Sequence, residues 1–464
     1  MSVSKGSGVS DNLSESQLIK VWQHRLLDGA ELVTEDGEPV EIIYPGRLND
    51  EQGADFRDAV IATSKGLIKG DIEVHVKSGS WRGHKHHRDV AYNRVILHVV
   101  MWHNTKTTTK LQNGREVPIL ALDKYLKFPT GQWPNSVSSN MPCLKVAQQL
   151  NTGAIAEFLD RAGEERFLAK TTRFQRELAQ MEAGQSLYQG IMGALGYSKN
   201  KLPMLNLARR LPLKILESIT RDKKSDEECL LRQQALLLGT AGLLPSQRQD
   251  RYQINRLNNQ WIDELEKLWT SCHHTETMSS DAWHLFKVRP NNSPIRRLVA
   301  MSHLLLLYRK EGLLEGLVGW FKEVPVSRGY RRLERGLLVT TNGYWASHFD
   351  FGSGNRIRSP TLLGRGRAAD IIVNGLLPFT FAWSQFASQP ELGEKAFGLY
   401  RRYPKLTVNS VERHMTDQLG LSRNLVNSAR RQQGLIHIYN NLCTQGRCNN
   451  CCLSHLKAGH HVQI

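Results

Sequence analysis

From Gly70 to Lys77 the chain alternates ionisable and apolar residues without a break. Asp71, Glu73, His75 and Lys77 stand in one phase, and Ile72, Val74 and Val76 in the other. Successive side chains of an extended chain leave on opposite faces, so this segment reads as a strand with one apolar face and four ionisable groups on the other. A fold that accommodates it must contain a sheet. The flanks add chemistry: Gly53-Ala54-Asp55-Phe56 places an acid after a turn upstream. Downstream, Trp81-Arg82-Gly83-His84-Lys85-His86-His87-Arg88-Asp89 is dense in groups that can ligate a metal.

The surrounding sequence supplies partners for this strand. Ser14 is an expected N-cap for a helix with Leu18, Val21, Trp22, Leu26 and Leu27 on its apolar stripe, ending near Gly29. Strands are expected at 39–44, stopped by Pro45-Gly46, and at 58–63, followed by a turn at Ser64-Lys65-Gly66. The apolar run 95–100 suits a strand covered on both faces, and a further strand is expected at 117–122. Segment 86–94 reads as a short helix or loop. Beyond residue 145 the apolar residues fall at helical spacing. The expected fold is therefore an α/β N-terminal domain with a mixed sheet over residues 1–135, joined through Pro129-Thr130-Gly131-Gln132-Trp133-Pro134 to a larger, mainly α-helical domain over 136–464.

Charge separates the same two parts. The net charge is +17, yet residues 1–135 hold 17 basic and 17 acidic side chains, so the excess lies beyond them. A basic body beside a charge-balanced, acid-bearing segment suits a polyanionic partner, and nucleic acid is the expected one. Seven cysteines, an odd number, argue against a disulfide framework and for a reducing, cytoplasmic setting. The most apolar segment, 371–383, is interrupted by Asn374, Gly375 and Pro378 and is too short for a membrane span, so no membrane association is expected.

Paired carboxylates hold hard divalent cations while leaving positions open for water and phosphate. Asp55 and Glu73 can form such a pair for Mg²⁺ or Mn²⁺, with Lys77 or His75 supplying a nitrogen that stabilises developing negative charge. Over about residues 14–125, in element order as well as motif, this arrangement resembles the PD-(D/E)xK nuclease superfamily, in which an acid opens one strand and an acid-x-lysine pair sits on the next. The sequence departs from that pattern in two places. Ala54 stands where the proline precedes the acid, and His75 occupies the lysine position, with Lys77 two residues further on. The resemblance implies a nuclease-like sheet and metal-dependent phosphodiester hydrolysis. Over nearly its full length the chain also resembles a family of uncharacterised bacterial proteins. Segments 70–77, 81–89, 95–100, 195–201, 366–378 and the terminal cysteines carry that second likeness.

Three further groups are candidates. His84, His86 and Asp89 are accessory to the acidic pair; alternatively His84, His86, His87 and Asp89, with His75, are candidate ligands for Zn²⁺ or a related metal. His98, within an apolar run, is expected as a hydrogen-bonded core histidine. Cys443, Cys448 and Cys451 suit Zn²⁺ or an iron–sulfur cluster, the fourth ligand being His455 or a distant residue rather than Cys452, which adjoins Cys451. Arg296, Arg297, Arg328, Arg331, Arg332 and Arg335 are candidate phosphate contacts, with Gly364-Arg365-Gly366-Arg367 at a helix start, and Tyr330, Tyr344 and Trp345 can stack on bases. The chain has neither a phosphate-binding Gly-x-x-x-x-Gly-Lys-Ser/Thr loop nor a Gly-x-Ser-x-Gly nucleophile elbow. The leading expectation is a metal-dependent nuclease. Its rivals are a non-catalytic nucleic-acid-binding protein on a nuclease-like fold and a histidine-dependent metallohydrolase of small phosphate esters.

Overall fold

The structure is a computed structural model and describes residues 13–27, 31–126, 140–197, 199–221, 225–248, 260–271, 276–285, 288–352, 359–451 and 453. An N-terminal mixed sheet is followed by a larger, mainly helical region, as the change of periodicity implies. The chain divides into two compact units. Residues 1–163, 408–427 and 431–464 form the first, and 164–407 with 428–430 form the second.

In the first unit, helix α1 (Glu15–His24) starts where expected: the Ser14 backbone N–H donates to Gln17 Oε1 at 2.9 Å. Leu18, Val21 and Trp22 are buried. The helix ends before Gly29 because Arg25 turns into the left-handed region at φ 51°, which sends its guanidinium to the carbonyls of Ile42 and Ile43. The strands are β1 (Leu32–Val33), β2 (Pro39–Tyr44), β3 (Arg47–Leu48), β4 (Phe56–Thr63), β5 (Gly66–Lys77), β6 (Val95–Trp102), β7 (Thr109–Lys110), β8 (Glu116–Val117) and β9 (Ile119–Ala121). The main sheet runs β1-β2-β4-β5-β6-β9, with β3 on β4; β7 and β8 form a separate pair. The pairs β5–β6 and β6–β9 are parallel and the remaining pairs of the main sheet antiparallel.

Local sequence explains the details. Strands β4 and β5 form a hairpin across Ser64-Lys65, with Thr63 opposite Gly66. The strand expected at 117–122 is split between β8 and β9 at Pro118, which has no N–H to give a ladder; its carbonyl accepts from His98 N–H at 3.0 Å. Gly70 permits the close approach of β6, since a Cβ there would lie 2.3 Å from Ile96 Cγ2 and 2.4 Å from the Arg94 carbonyl. The strand pattern places Ile72 and Val74 in an apolar cluster with Leu18, Val21 and Trp22. Glu73 and His75 therefore face the other side.

The expected division at residue 135 differs from the observed units, because the C-terminal helices do not stay with the helical body. In the first unit Tyr44, Val60, Ile155 and Leu159 share an apolar cluster with Met415, Leu419, Leu435, Ile438 and Tyr439. The helices concerned are α3 (Pro142–Gln149), the N-terminal part of Thr152–Leu178, α4 (Ser410–Gln418) and α5 (Ala429–Asn441), the last belonging to this unit from Arg431 on. Within the cluster, Tyr44 Oη lies 2.6 Å from His414 Nε2, and burial pushes His414 down to about 4. A neutral ring in the folded state and a protonated one in the unfolded chain mean that stability is lost as pH falls from 6.5 toward 4. The loss amounts to about 3 kcal/mol from this residue. Urea denaturation of wild type and His414→Gln between pH 4 and 7 is expected to show a difference that changes by this amount across the window; a constant difference contradicts it.

In the second unit, helices such as Ala183–Leu195, Asp226–Thr240, Pro294–Leu307, Leu377–Phe386 and Pro390–Arg402 enclose one apolar cluster containing Phe174, Ile191, Leu298, Val299 and Phe379. No described helix is long and apolar enough to cross a membrane. Two expected phosphate contacts belong to this interior. Arg296 is 0% exposed and donates to the carbonyls of Trp345, His348, Ser359 and Thr361. Arg297 is 5% exposed and donates to the Leu362 carbonyl at 2.8 Å and to Asn292 Oδ1 at 2.9 Å. Both are corrected from surface contacts to internal ties, since the chain folds back over their guanidinium groups. Arg367 is likewise buried, over the Tyr197 ring and 3.1 Å from Asp370. Arg332 pairs with Glu323 at 2.9 Å and lies over Trp320, while Arg328, Arg331 and Arg335 are exposed. Trp345 is buried, with its indole N–H on Gln234, and Tyr344 stacks on Trp261 and His348.

Candidate metal centre

The first acid, Asp55, sits at the entry to β4, and Glu73 lies in the middle of neighbouring β5. Each carboxylate binds the other's strand. Asp55 Oδ2 accepts the Val74 N–H at 2.9 Å, and Glu73 Oε2 accepts the Asp55 N–H at 3.1 Å. The hairpin thus places the two carboxylates on neighbouring strands. Burial is the main cause of both pKa shifts: Asp55 is raised to about 7, with Glu73's charge adding to the effect, and Glu73 to about 8.

The histidines converge on the same carboxylate. Glu73 Oε1 lies 3.2 Å from His86 Nε2 and 3.5 Å from His75 Nε2, and His75 Nε2 lies 3.2 Å from His84 Nδ1. One ligand atom from each of His75, His84 and His86 falls within 4.8 Å of the others. Strand β5 supplies His75. His84 follows the short helix α2 (Ser80–Gly83), and His86 opens a 3-10 turn after Lys85, which adopts φ 63°. Trp81, 2% exposed, anchors this connection. Its indole N–H donates to the Lys110 carbonyl at 3.0 Å, and its ring packs edge-on against His86. Tyr92 covers His86 from another side, ring centroids 3.9 Å apart.

Behind His75 a chain of hydrogen bonds sets the ring. His75 Nδ1 lies 2.9 Å from His98 Nε2, and His98 Nδ1 lies 2.7 Å from Thr109 Oγ1. His98 is a buried, hydrogen-bonded core histidine, as its apolar neighbours imply. Burial, reinforced by the neighbouring histidines, lowers His75 to about 2 and His98 to about 3, so both are neutral at physiological pH. If His75 donates Nδ1–H to His98 and His98 donates Nδ1–H to Thr109, the His75 Nε2 lone pair is left pointing at His84 and Glu73. That is the tautomer a metal ligand needs. The buried His86 Nε2 makes no hydrogen bond of acceptable geometry, which also fits a missing ligand.

Other expected residues fall outside this group. Lys77 is exposed at the end of β5, about 13 Å along the strand from Glu73 at the usual rise, and none of the described contacts joins it to the carboxylates. It is corrected from a site residue to a surface lysine. Asp89 caps the next turn by accepting the Ala91 N–H at 2.8 Å. Asp71, in phase with Glu73 on β5, is fully buried; it pairs with Arg57 at 2.5 Å and accepts the Asp58 N–H at 3.1 Å. Glu15 is a neighbour the sequence did not single out: the first residue of α1 lies in electrostatic range of Asp55, Glu73 and His86. An acid in a first helical turn is ordinary N-terminal chemistry, so nothing in its local sequence distinguishes it. Cys443, Cys448 and Cys451 belong to the first unit rather than to the helical one in which they were expected. His455 and Cys452 lie outside the described residues.

A mixed sheet whose central hairpin presents two carboxylates to a histidine-rich crossover thus defines the class of domain at the N-terminus. The chain belongs to the family described as "Protein of unknown function (DUF2851)", whose model matches residues 15–407. That range takes in Glu15, Asp55, Glu73 and the histidines and stops before the terminal cysteines. No curated protein and no solved structure matches the chain.

Proposed function

We propose that the first unit is a metal-dependent phosphodiesterase acting on nucleic acid. The observation that carries this reading is the convergence of His75, His84 and His86, one ligand atom of each within 4.8 Å of the others, with Glu73 Oε1 beside them, 3.2 Å from His86 Nε2 and 3.5 Å from His75 Nε2. Three imidazole nitrogens favour a first-row ion such as Zn²⁺ or Mn²⁺ over Mg²⁺, so the expected Asp55–Glu73 magnesium pair becomes a Glu73–histidine set with Asp55 beside it. When bound, such an ion lends positive charge to a phosphoryl oxygen and lowers the pKa of a water. Asp55, raised toward neutrality, is suited to accept the proton of the attacking water. The exposed cations Arg82, Lys85 and Arg88 on the same crossover offer contacts to flanking phosphates, a role that the displaced Lys77 does not fill.

Hydrolysis of labelled single- and double-stranded DNA and RNA, and of bis(p-nitrophenyl) phosphate, tests the proposal with Zn²⁺, Mn²⁺, Mg²⁺ or EDTA. Metal-dependent cleavage of nucleic acid, lost in Glu73→Gln and Asp55→Asn, is expected. Cleavage that persists in both variants contradicts it, and salt-dependent binding without turnover assigns a non-catalytic role. Turnover confined to the small diester removes nucleic acid as substrate.

Metal uptake should also release protons. Glu73 and Asp55 keep their protons up to about pH 8 and 7 in the metal-free state, whereas His75 has none to lose above about pH 2. Affinity is therefore expected to rise between pH 6 and 8, with about one proton released per ion near pH 7. Calorimetric titration in buffers of different ionisation enthalpy reads this number; zero release across that range contradicts the assignment.

A further inference from the structure

Beside β3 the first unit carries a cavity of about 550 Å³, a size that suits a small ligand. The end of α1, the β2–β3 turn with Arg47, α3 and α4 line it. Trp22 fixes the turn by donating its indole N–H to the Pro45 carbonyl at 2.9 Å. Gly420, at φ 60°, lets the chain after α4 close against α3, since a Cβ there would lie 2.6 Å from Leu144 Cδ1. None of the lining residues belongs to the histidine group, so the cavity is a separate site.

The lining is polar and incompletely satisfied. Gln418 donates from Nε2 to the sulfur of Cys143 at 3.6 Å, and Cys143 packs against the apolar cluster that holds Cys443. Gln418 Oε1 is left buried with no hydrogen-bond partner among the described residues, and so is Arg47 Nε. An open acceptor and an open donor on one cavity call for polar atoms to meet them. Water meets such atoms in many proteins, but the charges ask for more. Arg47 and Arg413 share the lining with Asp50 and Asp417, and no ion pair joins any of the four among the described residues. His24 and His414 add no charge at neutral pH, because burial lowers both, His414 to about 4. Two cations and two anions create no net field to draw a multiply charged phosphate compound. A molecule with one charge of each sign finds a partner for both.

We propose that this cavity binds a small zwitterion, a free α-amino acid or dipeptide, whose carboxylate meets Arg47 and whose ammonium donates to Gln418 Oε1 and Asp417. The site is independent of the reaction assigned to the histidine group.

Isothermal titration calorimetry of the full-length protein with each common free amino acid and with glycylglycine tests this, with adenosine monophosphate and inorganic phosphate as the purely anionic arm. Expected is saturable binding of at least one zwitterion with a Kd of about 1 mM or tighter, weakened about tenfold or more when its carboxylate is esterified or its amine acetylated. Asp417→Asn and Gln418→Leu are expected to weaken binding by a similar factor. Asp417 is exposed, so its substitution leaves the fold intact, which thermal denaturation checks. Absence of binding by every zwitterion overturns the proposal, as does binding of adenosine monophosphate or phosphate alone. Zwitterion binding undiminished in Asp417→Asn overturns the location, whatever Gln418→Leu does.

Discussion

Glu73→Gln is expected to abolish metal binding at the histidine group and to lower phosphodiester hydrolysis by more than about 100-fold, since removing a direct ligand exceeds the loss that follows from outer-shell changes. The substitution keeps the shape of the side chain and an oxygen to accept the Asp55 N–H, now 3.1 Å from Glu73 Oε2. Its effect on metal-free stability runs the other way. Glu73 is raised to about 8 by burial, so at pH 7 the folded state carries a proton that the unfolded chain has released. Folding around Glu73 therefore weakens as pH rises from about 4.5 toward 8, by up to about 3 kcal/mol at pH 7. Glutamine removes that dependence. Metal-free Glu73→Gln is thus expected to denature at equal or higher urea concentration than wild type at pH 7, while holding no metal at the histidine site. Loss of metal together with loss of folding would make Glu73 a structural residue; full activity would end its role as a ligand.

The second large effect is expected at Arg296→Ala, in the helical unit. Four carbonyls, those of Trp345, His348, Ser359 and Thr361, accept from one guanidinium that is fully buried. Removing the donor strands them in the interior, each buried unsatisfied group costing about 1–3 kcal/mol, so a loss of about 4 kcal/mol or more is expected. Lysine does not rescue it, because a single ammonium cannot reproduce the planar fork that reaches carbonyls on both sides. By contrast Arg328→Ala and Arg335→Ala change exposed side chains and are expected to stay within about 0.5 kcal/mol of wild type. Thermal or urea denaturation compares the three. A mild effect at Arg296 would contradict the internal role assigned to it.

The contrast between these residues shows what the sequence made legible. Period-two alternation identified β5, and the Ser64-Lys65 turn together with Asp55 identified its partner strand, because side-chain direction and turn chemistry are local properties. His98 was legible for the same reason: its apolar neighbours announce burial. The roles of Asp71 and Lys77 were not, although they share a phase with Glu73. Asp71 is buried because Arg57, on the paired strand, meets it, and Lys77 is exposed because the strand ends there. Register and strand length are tertiary quantities that no short motif carries.

The same limit explains the arginines and Cys143. A run such as Pro294-Ile295-Arg296-Arg297 looks like a charged face until the segment 345–361 folds over it. Cys143 joins Cys443 only when α3 and the C-terminal segment share a core, across a sequence separation that spacing rules do not reach. His75 stands between these cases. The sequence marks it as a departure from an acid-x-lysine pattern, and the structure makes it a neutral ring backed by His98 and Thr109. A cation at that position would be unsuited to the buried environment, whereas a neutral imidazole serves as a ligand.

Anomalous diffraction from crystals of the zinc-loaded protein tests the histidine site most directly. If the site works as proposed, a zinc peak lies among Glu73 Oε1, His75 Nε2, His84 Nδ1 and His86 Nε2, at about 2.0–2.2 Å from each. No zinc peak at this position, with Glu73 Oε1 still against His75 and His86, would contradict it.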